Sequence, residues 1–370
     1  SSSKSKGAGV LVHSQAKGVI RGNTIVSTDK AAIEVRKQGN PQVLNNKISN
    51  CASGILVHSE GMGMLEGNEV HGCVDSQIEI QGSSTAKITD NKLEDGSAHG
   101  ICIKGDAIVE ALSNTITKSS KAAVSLVGTG KVVFKGNKIW LSREQGVQTR
   151  GEGNCPRIEA NEITECTMAA IDVSEFSDPI VADNVIEKGF GSGLFLHDNG
   201  KGTFTGNKIR SCSKAGVICK TGADPLLEGN TISSGKVSGC YIYDGGKGRI
   251  MDNIIMGNAF HGIAVRDAGL PLIQDTKLRK NGQNGIFVYA QGKAIIKNCE
   301  VRGSGNAGIV VCEQSDAEIT GCKIQNSTFE GIWVSEGATA KILECDLRSN
   351  KAPLKIDADC NPTMKGNKLV

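Results

Sequence analysis

The chain has 370 residues, with 47 glycines, 7 prolines, few aromatic side chains and a formal net charge of only +3. Neither a basic run nor an aromatic–basic RNA motif accompanies this small charge, so the composition does not indicate a nucleic-acid partner. No apolar stretch reaches the roughly 18 residues of a membrane-spanning helix, and no signal peptide is recognisable, so we expect no membrane partner.

The first six residues are polar, and we predict a disordered lead-in over 1–6. A polar column then recurs along the chain every 22 to 24 residues. It consists of Asn23, Asn46, Asn68, Asn91, Asn114, Asn137, Asn161, Asn184, Asn207, Asn230, Asn253, Thr276, Cys299, Cys322, Cys345 and Asn367. A constant period of this length over a whole chain is typical of repeat architectures.

Each repeat holds three short stretches in which apolar and polar residues alternate. One lies before the column, one directly after it, and one about nine residues later, where a small residue precedes the alternation, as in 54–57 (GILV) and 331–334 (GIWV). Alternation with period two, bounded by Gly, Asn and Asp, predicts strands. A single repeat of about 23 residues cannot bury a core by itself, but stacked repeats can.

The sequence therefore predicts an all-β fold: a single parallel β-helix, or solenoid, of about sixteen 23-residue coils with three short strands each. We expect the column asparagines to point inward and to form a hydrogen-bonded ladder from coil to coil. The period is unbroken, so we predict one domain over 7–370. Because neither end shows a capping helix, we expect it to be part of a longer chain.

The thirteen cysteines are an odd number, and most fall on positions that we expect inside the coils. Buried free cysteine behaves as a small hydrophobe, and an odd set of interior thiols predicts a reducing, cytoplasmic location. Cys299, Cys322 and Cys345 would stack on adjacent coils. We predict plain stacking there, with neither a metal site nor a cofactor.

Function is sought in the residues that face outward, because the core repeats by construction. In each late strand of the Gly-Ile-x-Val type, x and the residue two places further should point to solvent. In the early coils x is often polar, as in Glu79, Ser125 and Asp172. In the later coils these positions form what we call the late-coil strip, which comprises Phe195, His197, Tyr241, Tyr243, Arg266, Phe287, Tyr289 and Trp333.

Carboxylates follow the strip one residue further along each coil. This acidic border comprises Asp198, Asp244, Asp267, Glu313 and Glu336. A contiguous aromatic strip is typical of an interaction surface, and Tyr, Trp and Arg carry binding hot spots. We therefore predict a binding site for a protein partner with a basic segment, and we prefer it to a glycan.

An enzymatic alternative rests on Asp244 and Asp267, which should lie one coil apart. Retaining glycosidases hold two carboxyl groups at about 5 Å, close to the separation of adjacent strands. The alternative is a polysaccharide-acting hydrolase or lyase with this pair as its catalytic acids, and with tyrosines that stack on sugar rings. Any column of acids gives the same distance, so we predict a non-enzyme. A structural rod in a cytoskeletal or ciliary assembly is a further alternative.

Part of the chain resembles a known family of β-helix repeats. The matching text is 195–202 (FLHDNGKG), 241–248 (YIYDGGKG) and 223–230 (ADPLLEGN), in which a Tyr-Asp-x-Gly-x-Gly coil alternates with an x-Pro-x-Leu coil. These are similar to carbohydrate-binding and sugar-hydrolase repeats, and most like the β-helix of the F-box-only protein eleven family. The resemblance implies a right-handed β-helix and the substrate-receptor part of a ubiquitin-ligase adaptor, although this sequence contains no F-box-like helical segment.

Overall fold

A computed structural model describes residues 7–370, and the predicted lead-in over 1–6 lies outside the described residues. Every regular element between residues 7 and 370 is a β-strand. No helix in this part of the chain is long and apolar enough to cross a membrane. The chain divides into two compact units, Ser1–Val185 and Ile186–Val370. Each unit has three parallel sheets, which we call first, second and third in the order in which the chain enters them.

In the first unit, each coil adds one strand to each sheet. The first sheet contains Val10–Val12, Ala31–Val35, Ser53–Val57, Ile78–Gln81, Ile101–Lys104, Val124–Val127, Val147–Arg150 and Ile171–Ser174. The second contains Lys17–Arg21, Asn40–Leu44, Met62–Glu66, Thr85–Thr89, Ile108–Leu112, Lys131–Lys135, Arg157–Glu159 and Ile180–Ala182. The third contains Thr24–Val26, Lys47–Ser49, Glu69–His71, Lys92–Glu94, Thr115–Thr117, Lys138–Trp140 and Glu162–Thr164, while Val185–Glu187 spans the boundary between the units.

The second unit repeats this plan. Its first sheet contains Leu194–Leu196, Val217–Cys219, Cys240–Ile242, Ile263–Val265, Ile286–Val288, Ile309–Val311, Glu330–Val334 and Ala352–Ile356. The second contains Thr203–Thr205, Leu226–Glu228, Arg249–Met251, Leu272–Gln274, Lys293–Lys297, Asp316–Thr320, Thr339–Leu343 and Thr363–Lys365. The third contains Lys208–Arg210, Thr231–Ser233, Ile254–Met256, Lys277–Arg279, Glu300–Arg302 and Lys323–Gln325.

The strands pair in parallel with their copies one repeat away, which confirms the predicted parallel β-helix. Ile78 pairs with Ile101 and Ile80 with Ile103, and all four side chains are buried. Shifting a strand by one residue would turn these isoleucines outward, so the inward apolar column fixes the register. That the two units form one domain over 7–370 stays a prediction.

The asparagine ladder is also confirmed. The backbone N–H and the side-chain amide of Asn91 donate to Oδ1 of Asn114 at 3.0 and 2.9 Å, and the amide also reaches the Leu65 carbonyl at 2.8 Å. In the second unit Asn230 donates to Asn253 in the same way, at 2.9 and 3.0 Å. Each buried carboxamide thereby satisfies the backbone of a tight corner.

Eleven of the thirteen cysteines are buried, and all thirteen are free thiols. Where the column changes from Asn to Cys, the thiols donate to backbone carbonyls: Cys299 to Ile273 at 3.6 Å and Cys345 to Ile319 at 3.7 Å. These thiols thus stack as interior groups. The cytoplasmic location stays a prediction.

The glycine that precedes the first-sheet strand Ile309–Val311 has a steric reason. A Cβ added at Gly308 would lie 2.2 Å from Cγ2 of Ile324 and 2.6 Å from the Gly331 carbonyl oxygen. Real Cβ atoms do not approach so closely, so the chain enters this sheet through a position that only glycine fills without displacement. The residues that follow are thereby held in register along the first sheet.

One expectation about the outer face of the first unit is wrong. Glu79, Ser125 and Asp172 leave the first sheet on its outer side, but they are buried rather than exposed to solvent. Long side chains cover Glu79, since Lys104 on the next coil and Gln81 on the same strand each donate to its carboxylate at 2.7 Å. The alternation rule describes one sheet and omits the side chains that fold over it.

Candidate functional site

The aromatic residues of the late-coil strip lie in one column on the first sheet of the second unit. The register along this column runs Phe195, Ile218, Tyr241, Ala264, Phe287, Val310, Trp333 and Lys355. Aromatic side chains thus stand on alternate coils, about 9.6 Å apart, with a smaller aliphatic residue between them. The aromatic rings therefore form the walls of shallow depressions, and the smaller residues between them form the floors.

Two tyrosine side chains meet above one of the smaller residues, Ala264. The hydroxyls of Tyr241 and Tyr289 lie 3.2 Å apart across the coil that carries Ala264. Ala264 was expected to face solvent, but it is buried. The Arg266 guanidinium of the same coil lies 5.4 and 5.5 Å from the ring centroids of Tyr241 and Tyr243, which are 4.8 Å apart. Cation–π contacts of this kind hold the rings in place.

Three stacked rings form a wall beside this bridge. The ring of Phe287 lies 4.6 Å from that of His261 on one side and 4.3 Å from that of Tyr289 on the other. Sequence reasoning missed His261, because it precedes the strand instead of occupying one of the two outward positions. Its place directly before the small residue Gly262 is the signal that could have found it.

A groove of about 570 Å³ lies between this wall and Trp333. Its floor is a buried cluster of Ala307, Val310 and Cys312, against which Phe287, Tyr289 and Trp333 pack. Val310 and Cys312 were expected to face solvent, and these packed aromatic side chains explain their burial. A volume of this size is typical of small-molecule sites.

Trp333 presents one ring face to the groove. The Lys355 ammonium, one coil further, lies 3.9 Å from the indole centroid, and the indole Nε1–H donates to Oδ1 of Asp357 at 3.2 Å. Because Lys355 covers the indole from its own coil, the opposite face is directed towards Val310 and the groove. The hydrogen bond prevents rotation of the ring, which makes this face a fixed platform.

Two carboxylates meet at one end of the groove. Ligand atoms of Cys312, Glu313 and Glu336 all lie within 4.8 Å of one another, with the thiol buried and both carboxylates exposed. Thiolate and carboxylate groups are metal ligands, so these three side chains are the ones that could hold a cation here. Two carboxylates at this separation also match the spacing of a retaining glycosidase, about 5 Å.

Burial shifts three pKa values around the groove. It lowers the pKa of His261 to about 4, so the imidazole is neutral at pH 7, and its Nδ1 is buried without a hydrogen-bond partner. Burial and the hydrogen bond between the Tyr289 and Tyr241 hydroxyls raise the pKa of Tyr289 well above its ordinary value. Burial, followed by the charges of Glu313 and Glu336, raises the pKa of the Cys312 thiol to about 12.

The other predicted site residues lie outside the groove. Nδ1 of His197 lies 2.7 Å from the Asp198 carboxylate, and the rings of His197 and Phe195 stack at 4.5 Å. The Asp244 carboxylate accepts a hydrogen bond from Thr221 at 3.1 Å.

Asp267 forms an ion pair with Arg266 at 3.2 Å, although Nε of Arg266 is not aligned for a hydrogen bond. The Asp244 and Asp267 pair therefore lies beside the tyrosine bridge and does not line the aromatic-walled groove.

Residues 2–139, 123–278 and 261–370 match the family described as the right handed beta helix region. The chain belongs to this right-handed β-helix family. Together the three matches extend over nearly all of the chain. No curated protein matches the sequence.

Several solved structures are similar to this right-handed β-helix. The A-module of the Azotobacter vinelandii mannuronan C-5 epimerase AlgE4 is 12% identical, with 90% of this chain and 91% of that chain covered and a TM-score of 0.41. The periplasmic alginate epimerase AlgG is 13% identical, with coverages of 94% and 78% and a TM-score of 0.38. The catalytic domain of GH87 alpha-1,3-glucanase in complex with nigerose is 12% identical, with coverages of 94% and 64% and a TM-score of 0.41.

These comparisons correct two predictions. We expected a non-enzymatic scaffold that recognises proteins, with the ubiquitin-ligase adaptor role that the resemblance implied. The similar structures are instead epimerases and a glucanase, which are enzymes that act on polysaccharides, so both the non-enzyme and the protein-recognition predictions are wrong. At these identities and TM-scores the likeness shows the fold alone. What this β-helix acts on is therefore argued from its own residues.

Proposed function

We propose that the second unit hydrolyses the glycosidic bonds of an uncharged polysaccharide, with Glu313 and Glu336 as its two catalytic carboxylates. The observation that carries the proposal is the position of this pair. The two carboxylates lie within 4.8 Å of each other at the end of an aromatic-walled groove. Aromatic walls bind the flat apolar faces of sugar rings, and paired carboxylates cleave the bonds between them.

The groove has the chemistry of a sugar-binding site. The open face of Trp333 and the ring wall at Phe287 supply the apolar surface. At the end opposite the carboxylates, Gln283, Asn284 and Asn306 line the groove with carboxamides. A few polar groups at the edge of an apolar pocket fix the orientation of a ligand with many hydroxyls.

The charges of the groove favour an uncharged substrate. Its lining contains Glu313, Glu330 and Glu336 but neither Lys nor Arg, and the imidazole of His261 is neutral at pH 7. A polyuronate would bring its own carboxylates towards these three and would be repelled. The substrate class is therefore a neutral glycan.

The reaction follows from the separation of the pair. One carboxylate attacks the anomeric carbon and forms a glycosyl ester, while the carboxylic acid of the other donates its proton to the leaving oxygen. The resulting carboxylate then removes a proton from water, and this water breaks the ester with net retention of configuration. The chemistry requires neither a metal nor a redox cofactor.

The test is a reducing-end assay on neutral glucans, xylans and mannans, with Glu313→Gln, Glu336→Gln and a control variant. Glu344→Gln makes the same change at an exposed turn position next to the second sheet. We expect each groove variant to lose at least a hundredfold in kcat and the control to retain wild-type turnover. Azide should restore turnover in the corresponding Glu→Ala variants, with opposite product configurations for the nucleophile and the acid.

Two outcomes contradict this proposal. If the wild type cleaves none of these glycans, hydrolysis is wrong. If it cleaves one of them, and turnover is abolished in an Asp244→Asn, Asp267→Asn variant but not in the groove variants, Asp244 and Asp267 are the catalytic pair instead.

We further propose that the repeats share their origin with those of the F-box-only protein eleven family. The alternation of a Tyr-Asp-x-Gly-x-Gly coil with an x-Pro-x-Leu coil between 195 and 272 supports this relation. It concerns the ancestry of the repeats and carries no ligase function. An alignment of homologues tests it, because the two-coil alternation should persist in both lineages.

A further inference from the structure

We infer that Glu313 and Glu336 lie between two binding sites, and that a second hollow beside the groove receives the part of the glycan that leaves after cleavage. This inference rests on the proposed function and adds where the two halves of the substrate bind. The second hollow has a volume of about 510 Å³. It is lined by Asp267, Ala290, Gln291, Glu313, Gln314 and Glu336.

The two carboxylates belong to both sites. Glu313 and Glu336 line the aromatic groove on one side and the hollow on the other. A glycan that passes from groove to hollow therefore has one of its bonds directly over the pair. The aromatic groove would hold the sugar that forms the glycosyl ester, and the hollow would hold the leaving sugar.

The walls of the groove set the direction of the glycan. The stacked rings of His261, Phe287 and Tyr289 close the groove on one side, and Trp333 with Lys355 closes it on the other. The groove is open only at its two ends, which lie along the strand direction, so a glycan can leave the groove only there. The glycan consequently runs parallel to the first-sheet strands and crosses from sheet to turn over Glu313 and Glu336.

A hollow at the same turn of the first unit shows what is distinctive here. That hollow, about 440 Å³, is lined by Ser14, Gln15, Lys37, Gln38, Ser59 and Glu60. Its carboxamides bind one another, since Gln15 donates to Gln38 at 3.0 Å and Gln38 donates to Glu60 at 2.9 Å. The carboxamides of that hollow are therefore engaged within the protein.

The corresponding carboxamides of the second unit are available to a ligand. Gln291 and Gln314 lie in the turns that line the hollow. Among the described residues, no hydrogen bond engages their side chains. Their backbones are held firmly, because Gln291 N–H donates to the Glu313 carbonyl at 3.1 Å and Gln314 N–H to the Glu336 carbonyl at 3.0 Å. Two exposed carboxamides on held backbones, beside the carboxylates, suit the hydroxyls of a neutral sugar.

The test compares two kinds of substrate in a Gln291→Ala, Gln314→Ala variant. Neutral hexasaccharides of glucose, xylose and mannose place sugars in both sites, whereas p-nitrophenyl glycosides carry no leaving sugar. We expect kcat/KM to fall roughly tenfold for the hexasaccharide, from the loss of two hydrogen bonds, and to stay unchanged for the p-nitrophenyl glycoside. Gln38→Ala, the same change in the first-unit hollow, should alter neither value.

Equal losses on both substrates, or no loss on either, would overturn the leaving-sugar site while hydrolysis itself stands. If the wild type hydrolyses nothing, the proposed function fails, and calorimetric binding of the hexasaccharides then tests the hollow alone. Weaker hexasaccharide binding in the double variant, with trisaccharide binding unchanged, supports a glycan site there. Unchanged or absent hexasaccharide binding overturns it.

Discussion

The hydroxyls of Tyr241 and Tyr289 lie 3.2 Å apart although 48 residues separate the two tyrosines in the chain. Two coils of stacking bring them together, and the alanine on the coil between leaves room for them to meet. This bridge and the ring wall beside it divide the late-coil strip. The groove with its carboxylate pair lies on one side, and Phe195 and the Asp244 carboxylate lie on the other.

The bridge should be visible in a tyrosine titration, because the chain has only three tyrosines. Burial is the largest cause that raises the pKa of Tyr289, and its hydrogen bond with the Tyr241 hydroxyl raises this pKa further. We expect Tyr241→Phe to lower the pKa of Tyr289 while leaving it above the ordinary 10.0, as measured by absorbance at alkaline pH. Tyr289→Phe should remove the last ionisation step altogether.

The raised pKa of Tyr289 also makes the stability of the protein depend on pH. A pKa that is raised in the folded state contributes stability that is complete below about pH 10 and is lost as the pH rises towards the folded value. We therefore expect the free energy of unfolding to fall faster above pH 10 in the wild type than in Tyr289→Phe. Equal slopes in the two proteins would contradict the bridge.

His261 should make the protein sensitive to acid. Its pKa falls from 6.5 to about 4 through burial, so the unfolded chain binds a proton that the folded chain excludes. Stability is therefore highest above about pH 6.5 and is lost as the pH falls towards 4. We expect His261→Phe, which keeps a ring against Phe287, to show a flatter decline of the urea midpoint between pH 7 and pH 4.5.

The same variant tests the buried nitrogen. Nδ1 of His261 lacks a partner, so its removal should leave stability at pH 7 equal or higher by about 1 kcal/mol. His13→Phe, which makes the same change at an exposed position in the first unit, is the control for the loss of a histidine. A strong loss of stability at pH 7 in His261→Phe would mean that this imidazole has a bonding partner.

A substitution in the asparagine ladder should lower the free energy of unfolding strongly only where the asparagine is buried and bonded to its neighbours on both sides. Asn91 is buried and is bonded on both sides, to Asn68 and to Asn114. We expect Asn91→Ala to lower the free energy of unfolding by about 2–4 kcal/mol, because several buried backbone and amide groups lose their partners. Asn23→Ala, at an exposed column position, should cost less than about 1 kcal/mol in the same urea experiment.

Equal effects at the two positions would show that stability comes from the corner residue itself and not from stacked carboxamides. The replacement of Asn by Thr and Cys later in the column makes Asn91→Thr a useful intermediate. Its hydroxyl should retain part of the stability, as Thr276 does where Asn253 N–H donates to its Oγ1 at 3.4 Å.

Filling the groove should abolish function without unfolding the protein. Val310 forms the floor between Phe287 and Trp333, so the ring in Val310→Phe would occupy the space proposed for a sugar. We expect turnover to fall below a hundredth of the wild-type value, with a similar melting curve by circular dichroism. Ile218→Phe makes a comparable change in the same column, outside the groove, and should leave turnover intact.

Retained turnover in Val310→Phe, with turnover lost in Ile218→Phe, would move the binding site to the part of the strip that contains Phe195 and Tyr241. Such a result would favour the part of the predicted strip that lies outside the groove and would contradict the groove as the binding site.

Much of the fold was predictable because it depends on the repetition of single positions. Asn91 and Ile101 recur at a constant interval, and a period-two pattern next to a fixed corner leaves one way to stack them. Gly308 could be assigned to a strand entrance for the same reason. None of these inferences required knowledge of which side chains meet across the coils.

The residues of the site stay a prediction. The sequence analysis placed Glu313 and Glu336 in the acidic border and named Asp244 and Asp267 as the acid pair of the enzymatic alternative, whereas the function proposed from the structure uses Glu313 and Glu336. All four occupy the same turn position, so spacing cannot distinguish them. His261 was missed because its ring reaches Phe287 from outside the outward column.

By itself, the sequence determined the coil, its register and the inward asparagine ladder. Each of these follows from a pattern that repeats at one position and acts between neighbouring coils. Only the tertiary structure decided which outward residues are covered, where the tyrosines meet and which carboxylates face a groove. Those properties depend on how large side chains on alternate coils fold over the small ones between them, and the period alone does not contain that information.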